Sequence, residues 1–68
     1  MIIAQRVNDY LTQRRPDEVC DGCVANHLGL RHQQANRVTM ALGTTSDFTR
    51  EISRCVDCDR DLVTTRRN

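Results

Sequence analysis

Four cysteines in two C-x-x-C pairs, Cys20-Asp21-Gly22-Cys23 and Cys55-Val56-Asp57-Cys58, are the residues of this chain best suited to chemistry, and they are its only cysteines. Two residues between thiolates let one tight turn offer two sulfurs to one ion. Two such turns complete the tetrahedral site in which structural zinc is held. The spacing therefore predicts Cys20, Cys23, Cys55 and Cys58 as ligands of a single zinc ion, and a soft four-thiolate site accepts iron as well. Two disulfides, or a redox role for one pair, are the competing readings, although no βαβ pattern surrounds either pair. His27, four residues after Cys23, and His32 are the other candidate ligands. A site filled by four cysteines keeps no position for water or substrate, whereas catalytic zinc does. No nucleophile–base arrangement stands out either. The chain is thus expected not to be an enzyme. Its acidic residues beside the cysteines (Asp17, Glu18, Asp21, Asp57, Asp59, Asp61) are expected to cap turns and a helix start.

The elements that must position these cysteines can be read from period and punctuation. A chain of 68 residues makes one domain, residues 1–68, and has only Phe48 and Tyr10 as aromatic bulk. Below roughly 70–80 residues a core alone is marginal, and a metal often supplies the rest. The 31 residues from 24 to 54 exceed the ~15–20 of a simple zinc ribbon, so they must hold a folded unit. Residues 2–14 predict a first helix, with Ile3, Val7, Tyr10 and Leu11 on one face, ended by Pro16. Cys20 or Asp21 opens a second, with Val24, Ala25 and Leu28 inward and Gly29 as its stop. A third runs from about Gln33 to Leu42, with Ala35, Val38 and Leu42 inward. The period then becomes two. Strands are expected at about 48–54 and 61–66, with Phe48 and Ile52 sharing a face and the second cysteine pair in the turn between them. The fold class is α+β: a three-helix body and a C-terminal β-hairpin, stapled by one zinc.

Composition narrows the setting. No segment is apolar for long enough to span a membrane, and the first residues turn polar too soon for a secretory signal. Reduced thiols and a cytoplasmic location are therefore expected, with no membrane partner. The formal charge of +1 falls to about −1 once four thiolates and one divalent ion are counted, so net charge does not argue for nucleic acid. All ten basic residues are Arg. The guanidinium suits bidentate contacts to carboxylates, phosphates and guanine edges.

The stretch from Cys23 to Val38 resembles the helix-turn-helix of bacterial DNA-binding proteins. Ala25 stands where that family has a small residue at the helix crossing. Leu28-Gly29 matches the pair that closes its first helix, Leu30 the apolar turn residue, and Ala35 with Val38 the inward pair of its second helix. Arg31-His32 stands where a Ser or Thr cap is usual. Three helices followed by two strands further resemble a winged helix, with the hairpin as the wing. The resemblance implies a DNA-binding protein, a transcriptional regulator, in which Gln33, Asn36 and Arg37 face base edges. Arg31 and His32, and the hairpin's Arg50, Arg54, Arg66 and Arg67, would face phosphates. The alternative is a zinc-stabilised protein–protein interaction module without DNA binding, docking through Met40 or the acidic surface near the cysteines. Ile2 and Ile3 cannot both face the core easily, which offers a homodimer seam.

Overall fold

Two residues of extended chain, not anticipated from the sequence, tie the helices to the sheet. In the computed structural model, which describes residues 2–68, the elements are α1 (Ile3–Gln13), β1 (Val19–Cys20), α2 (Asp21–Leu28), α3 (His32–Leu42), β2 (Phe48–Arg54) and β3 (Asp61–Arg67). The three strands form one antiparallel sheet in the order β1-β3-β2. β1 pairs Val19 with Thr65 and Cys20 with Thr64. β2 pairs with β3 from Phe48↔Arg67 to Arg54↔Asp61. A two-residue strand has no period to detect, which is why β1 escapes a reading by alternation.

Each helix follows from its sequence with one departure. Val7 and Leu11, one turn apart on α1, are fully buried, and Ile3 and Tyr10 pack beside them. α2 ends at Gly29, which takes the left-handed conformation at φ 67°, and Leu30 N–H closes on Ala25 O at 2.8 Å. Arg31 starts α3 without a hydroxyl cap because Gln34 reaches back: its Oε1 accepts from Arg31 N–H at 3.0 Å. The departure lies in α3. Ala35 and Thr39 are its buried residues, while Val38 and Leu42, expected inward, are only partly buried. Thr39 can replace an apolar residue because its hydroxyl is satisfied by groups from α2 and β2.

The core gathers Val7 and Leu11 from α1, Val19 from β1, Val24 and Ala25 from α2, Ala35 from α3 and Phe48 from β2, together with Cys20 and Cys55. Thr64 and Thr65 are both buried, so β3 is covered on both faces where β1 meets it. The expected Phe48–Ile52 face is corrected: Phe48 is buried, but Ile52 is 76% exposed. Ile52 pairs with Val63, itself 42% exposed, beyond the reach of the helices. Among the described residues, no helix is long and apolar enough to cross a membrane.

Candidate metal centre and its surroundings

Both cysteine pairs sit where a strand gives way to something tighter. Cys20 ends β1 and, still extended at φ −78° and ψ 161°, is also the residue from which α2 starts. Cys23 then lies on the first turn of that helix. Cys55 and Cys58 occupy the loop between β2 and β3. There Asp59 N–H bonds Cys55 O (2.9 Å), Cys55 N–H bonds Arg60 O (3.0 Å) and Val56 N–H bonds Glu18 O (3.0 Å). The last of these fixes the loop against the segment leading into β1.

The four Sγ atoms lie within 4.8 Å of one another. Cys20–Cys58 and Cys23–Cys55 are each 3.7 Å apart. Ligands about 2.3 Å from a central zinc, at the corners of a tetrahedron, lie about 3.8 Å apart. A disulfide is far shorter, about 2.05 Å, and all four thiols are free. The cluster can hold one metal ion, and its donor set is that of structural zinc. His27 and His32 are not part of it.

The thiols differ in how readily they ionise. Burial pushes the Cys20 and Cys23 thiols up. Burial also works against a Cys55 thiolate, but backbone N–H groups of Cys20, Cys58 and Asp57 outweigh it and bring that thiol down to about 6. The Cys20 N–H lies 3.3 Å from the Cys55 sulfur.

Two acidic residues next to the clustered cysteines act as tethers more than as caps. Asp57, inside the second pair, takes a two-pronged contact from Arg14 at 2.6 and 2.7 Å and lies 3.1 Å from His27 Nε2. Arg14 also donates to the Tyr10 hydroxyl (2.7 Å), and the Tyr10 and His27 rings lie 5.5 Å apart. The metal loop is thereby fastened to α1 and α2. The Arg14 guanidinium holds the Asp57 carboxyl below its ordinary range, a little opposed by burial. A depressed carboxyl contributes stability above its unfolded pKa, and that contribution disappears as pH falls through the lowered folded value. Asp57→Asn should thus lower stability at neutral pH by about 1 kcal/mol. Denaturant titration should show this gap narrowing in high salt and below the ordinary Asp range. A gap unaffected by either would remove the ion pair as its cause.

Asp21, buried and one residue from Cys20, reaches across the body instead of along its helix. Its carboxylate accepts from Thr39 Oγ1 (2.7 Å), Asn36 Nδ2 (2.7 Å) and Arg50 Nη1 (3.0 Å). The same Arg50 nitrogen also donates to Thr39 (2.7 Å) and Thr65 (3.1 Å). Burial would raise the Asp21 carboxyl, but these donors more than offset it and hold it below the ordinary value. The cluster floors a cleft of about 410 Å³ between the starts of α2 and α3 and the segment from Arg60 to Val63.

The residues expected at DNA are dispersed. Arg31, Gln33 and Arg37 are exposed, and Asn36 spends its amide on Asp21. Arg66 pairs with Glu51 at 2.7 Å and lies 3.6 Å from Glu18, while Arg67 lies over the Phe48 ring at 5.3 Å. Arg50 is committed to Asp21, and Arg54 to Asp59 and Asp61. Gln34, exposed on α3, and Arg60, which lines the cleft beside the cysteine cluster, escaped the sequence reading. The only available signal for Arg60 is its place two residues beyond Cys58.

Fold and site together define a small α+β domain, with three helices and a three-stranded antiparallel sheet, built round four cysteines that can hold one metal ion. Compared with protein-family models, curated proteins and solved structures, the chain matches none.

Proposed function

We propose that this domain binds DNA as a winged-helix-like reader in which one structural zinc fixes the hairpin to the helical body. The observation that carries the reading is the outer face of α3. Gln33, Gln34 and Arg37 are exposed there, and the helix contains no carboxylate. Glutamine amides can pair with adenine edges and a guanidinium with guanine. Asn36 orients the helix through Asp21 instead of reading a base. The slight net charge is less of an obstacle than it looks, because most carboxylates lie within ion-pair distance of Arg14, Arg50, Arg54 or Arg66. Among the described residues, only Asp9 and Asp47 have no such partner.

The test is a titration of the metal-loaded protein with mixed-sequence duplex DNA. Affinity should fall steeply as salt rises. Arg37→Ala should weaken the preferred site by about tenfold or more, the worth of one bidentate base contact. No binding at low salt would defeat the reading. Met40, 55% exposed on α3, favours the alternative of a protein-docking face. Capture of a partner protein that ignores salt and is lost with Met40→Ala would decide for it. A regulatory role and a homodimer reading two half-sites are extensions of the DNA reading, and sedimentation with and without DNA tests the second.

A further inference from the structure

β2 stands at the edge of the sheet, with β3 on one side only. The ladder decides which of its residues face outward. Cys55 N–H donates to Arg60 O at one end (3.0 Å), and Asn68 N–H to Asp47 O at the other (2.8 Å). Both pairs continue the register of the hairpin, so Thr49, Glu51 and Ser53 are the β2 residues bonded to β3. Arg50, Ile52 and Arg54 turn their N–H and C=O groups the other way. Among the described residues, no turn, loop or side chain bonds to those groups. The register runs from Phe48 to Arg54 without a bulge, and no proline interrupts it. The edge thus lacks two of the devices that keep strands of different molecules apart.

The side chains narrow what such an edge accepts. Ile52 is the most exposed large apolar residue among those described, and it lies opposite the partly exposed Val63. The charged side chains of β2 are matched within the chain: Arg50 by Asp21, Glu51 by Arg66, and Arg54 by Asp59 and Asp61. The edge therefore has no spare charge with which to select an acidic or a basic peptide. It offers bare main chain and an isoleucine, and the same strand run antiparallel complements both.

Charge also selects the register. Antiparallel self-pairing must set outward residues opposite one another, which allows a centre at Glu51, Ile52 or Ser53 near the middle of the strand. A centre at Glu51 sets that carboxylate against its own copy. A centre at Ser53 sets Ile52 against Arg54. A centre at Ile52 sets Ile52 against Ile52 and Glu51 against Ser53. It also sets Arg50 against Arg54, each with its own carboxylates in place. Val63 and Ile52 of one copy then join Ile52 and Val63 of the other in one apolar row.

We propose that β2 pairs antiparallel with β2 of a second copy, centred on Ile52, so that two sheets continue as β1-β3-β2-β2-β3-β1. The contact is symmetric, the same patch from each copy, and it does not depend on the DNA reading. It differs from a seam at Ile2 and Ile3, since Ile3 packs against the core.

The experiment is sedimentation equilibrium of the metal-loaded protein without DNA, from micromolar to millimolar concentration, with amide exchange followed by NMR over the same range. Ile52→Thr keeps β propensity at an exposed position. It should raise the dimer dissociation constant about tenfold or more, because both copies lose apolar contact. Ile52→Pro removes an outward N–H and no bond to β3. It should abolish the dimer while far-UV circular dichroism and metal content stay as in the wild type. Amides of Arg50, Ile52 and Arg54 should gain protection as concentration rises, while those of Glu51 and Ser53, bonded to β3 throughout, should not. Should Ile52→Pro not fold, Ile52→Thr and the exchange pattern decide. A monomer over the whole range would overturn the proposal and leave the edge to a strand from a different protein. A dimer indifferent to Ile52→Thr, or one without the alternating protection, would overturn it as well. Loss of such a dimer in Ile2→Ser would put the seam at α1 instead.

Discussion

Cys55→Ser, or removal of the metal by a chelator, should convert the folded domain into a largely unfolded chain. Cys55 is fully buried and Cys20 nearly so, and both belong to the core cluster. The rest of that cluster is small: one Phe, one Leu, three Val and two Ala. Binding of structural zinc releases roughly 10–16 kcal/mol. Whole domains are stable by only about 5–15 kcal/mol, with short chains at the low end. The metal term therefore matches or exceeds everything else the fold has. Far-UV circular dichroism before and after chelation is the measurement, and an unchanged helical signal would sink the expectation. The thiols add a second signature. With Cys20 and Cys23 raised by burial, the metal-free cluster retains protons at neutral pH, so loading must release them into weak buffer.

Arg50→Ala should be the most damaging substitution away from the cysteines, costing about 3–5 kcal/mol, because it strands the Asp21 carboxylate in a buried site. Asp21→Ala should cost a similar amount by leaving the guanidinium, Asn36 and Thr39 without their common acceptor. The double variant should cost clearly less than the two together, since the second deletion removes a charge that the first left unpaired. Gly43 supplies an indirect route to the same defect. A Cβ there would stand 2.6 Å from Arg50 Cδ, 2.9 Å from Cγ and 3.3 Å from Cβ, too close along the whole stem for a terminal rotation to relieve. Gly43→Ala should hence destabilise by displacing Arg50, and should lose most of its effect in the Arg50→Ala background. Denaturant unfolding of the metal-loaded variants measures all five. Costs that simply add would mean that Asp21 and Arg50 are not a unit.

The local features of this structure were written in local signals. Pro16 stands three residues past the end of α1 and Gly29 directly after α2, and alternation from Phe48 to Arg54 marks β2. The cysteine spacing identified the cluster because two tight turns need no knowledge of the rest of the fold. What stayed hidden depends on which distant segments meet. Asp21 looks like a helix cap until α3 and β2 are brought against it, and Asn36 looks like a surface amide until the same moment. Ile52 has the right period for a buried face, but the helices stop short of it. The partition of Asp59 and Asp61 toward Arg54, which frees Arg60, depends on how the metal loop turns and has no counterpart in spacing.

β1 passes into α2 without a connecting loop, at a residue that belongs to the cysteine cluster. A metal at the cluster would make the chain from Cys20 to Cys58 a closed ring containing α2, α3 and β2. α1 and β3 lie outside that ring. The cross-link would restrict the ring's entropy, and β3, central in the sheet, is held against the ring by both β1 and β2. Local opening should accordingly be rarest where ring and sheet meet, with amides of α2 and of the central strand β3 among the slowest to exchange. Opening the domain completely then becomes the same event as letting go of the ion.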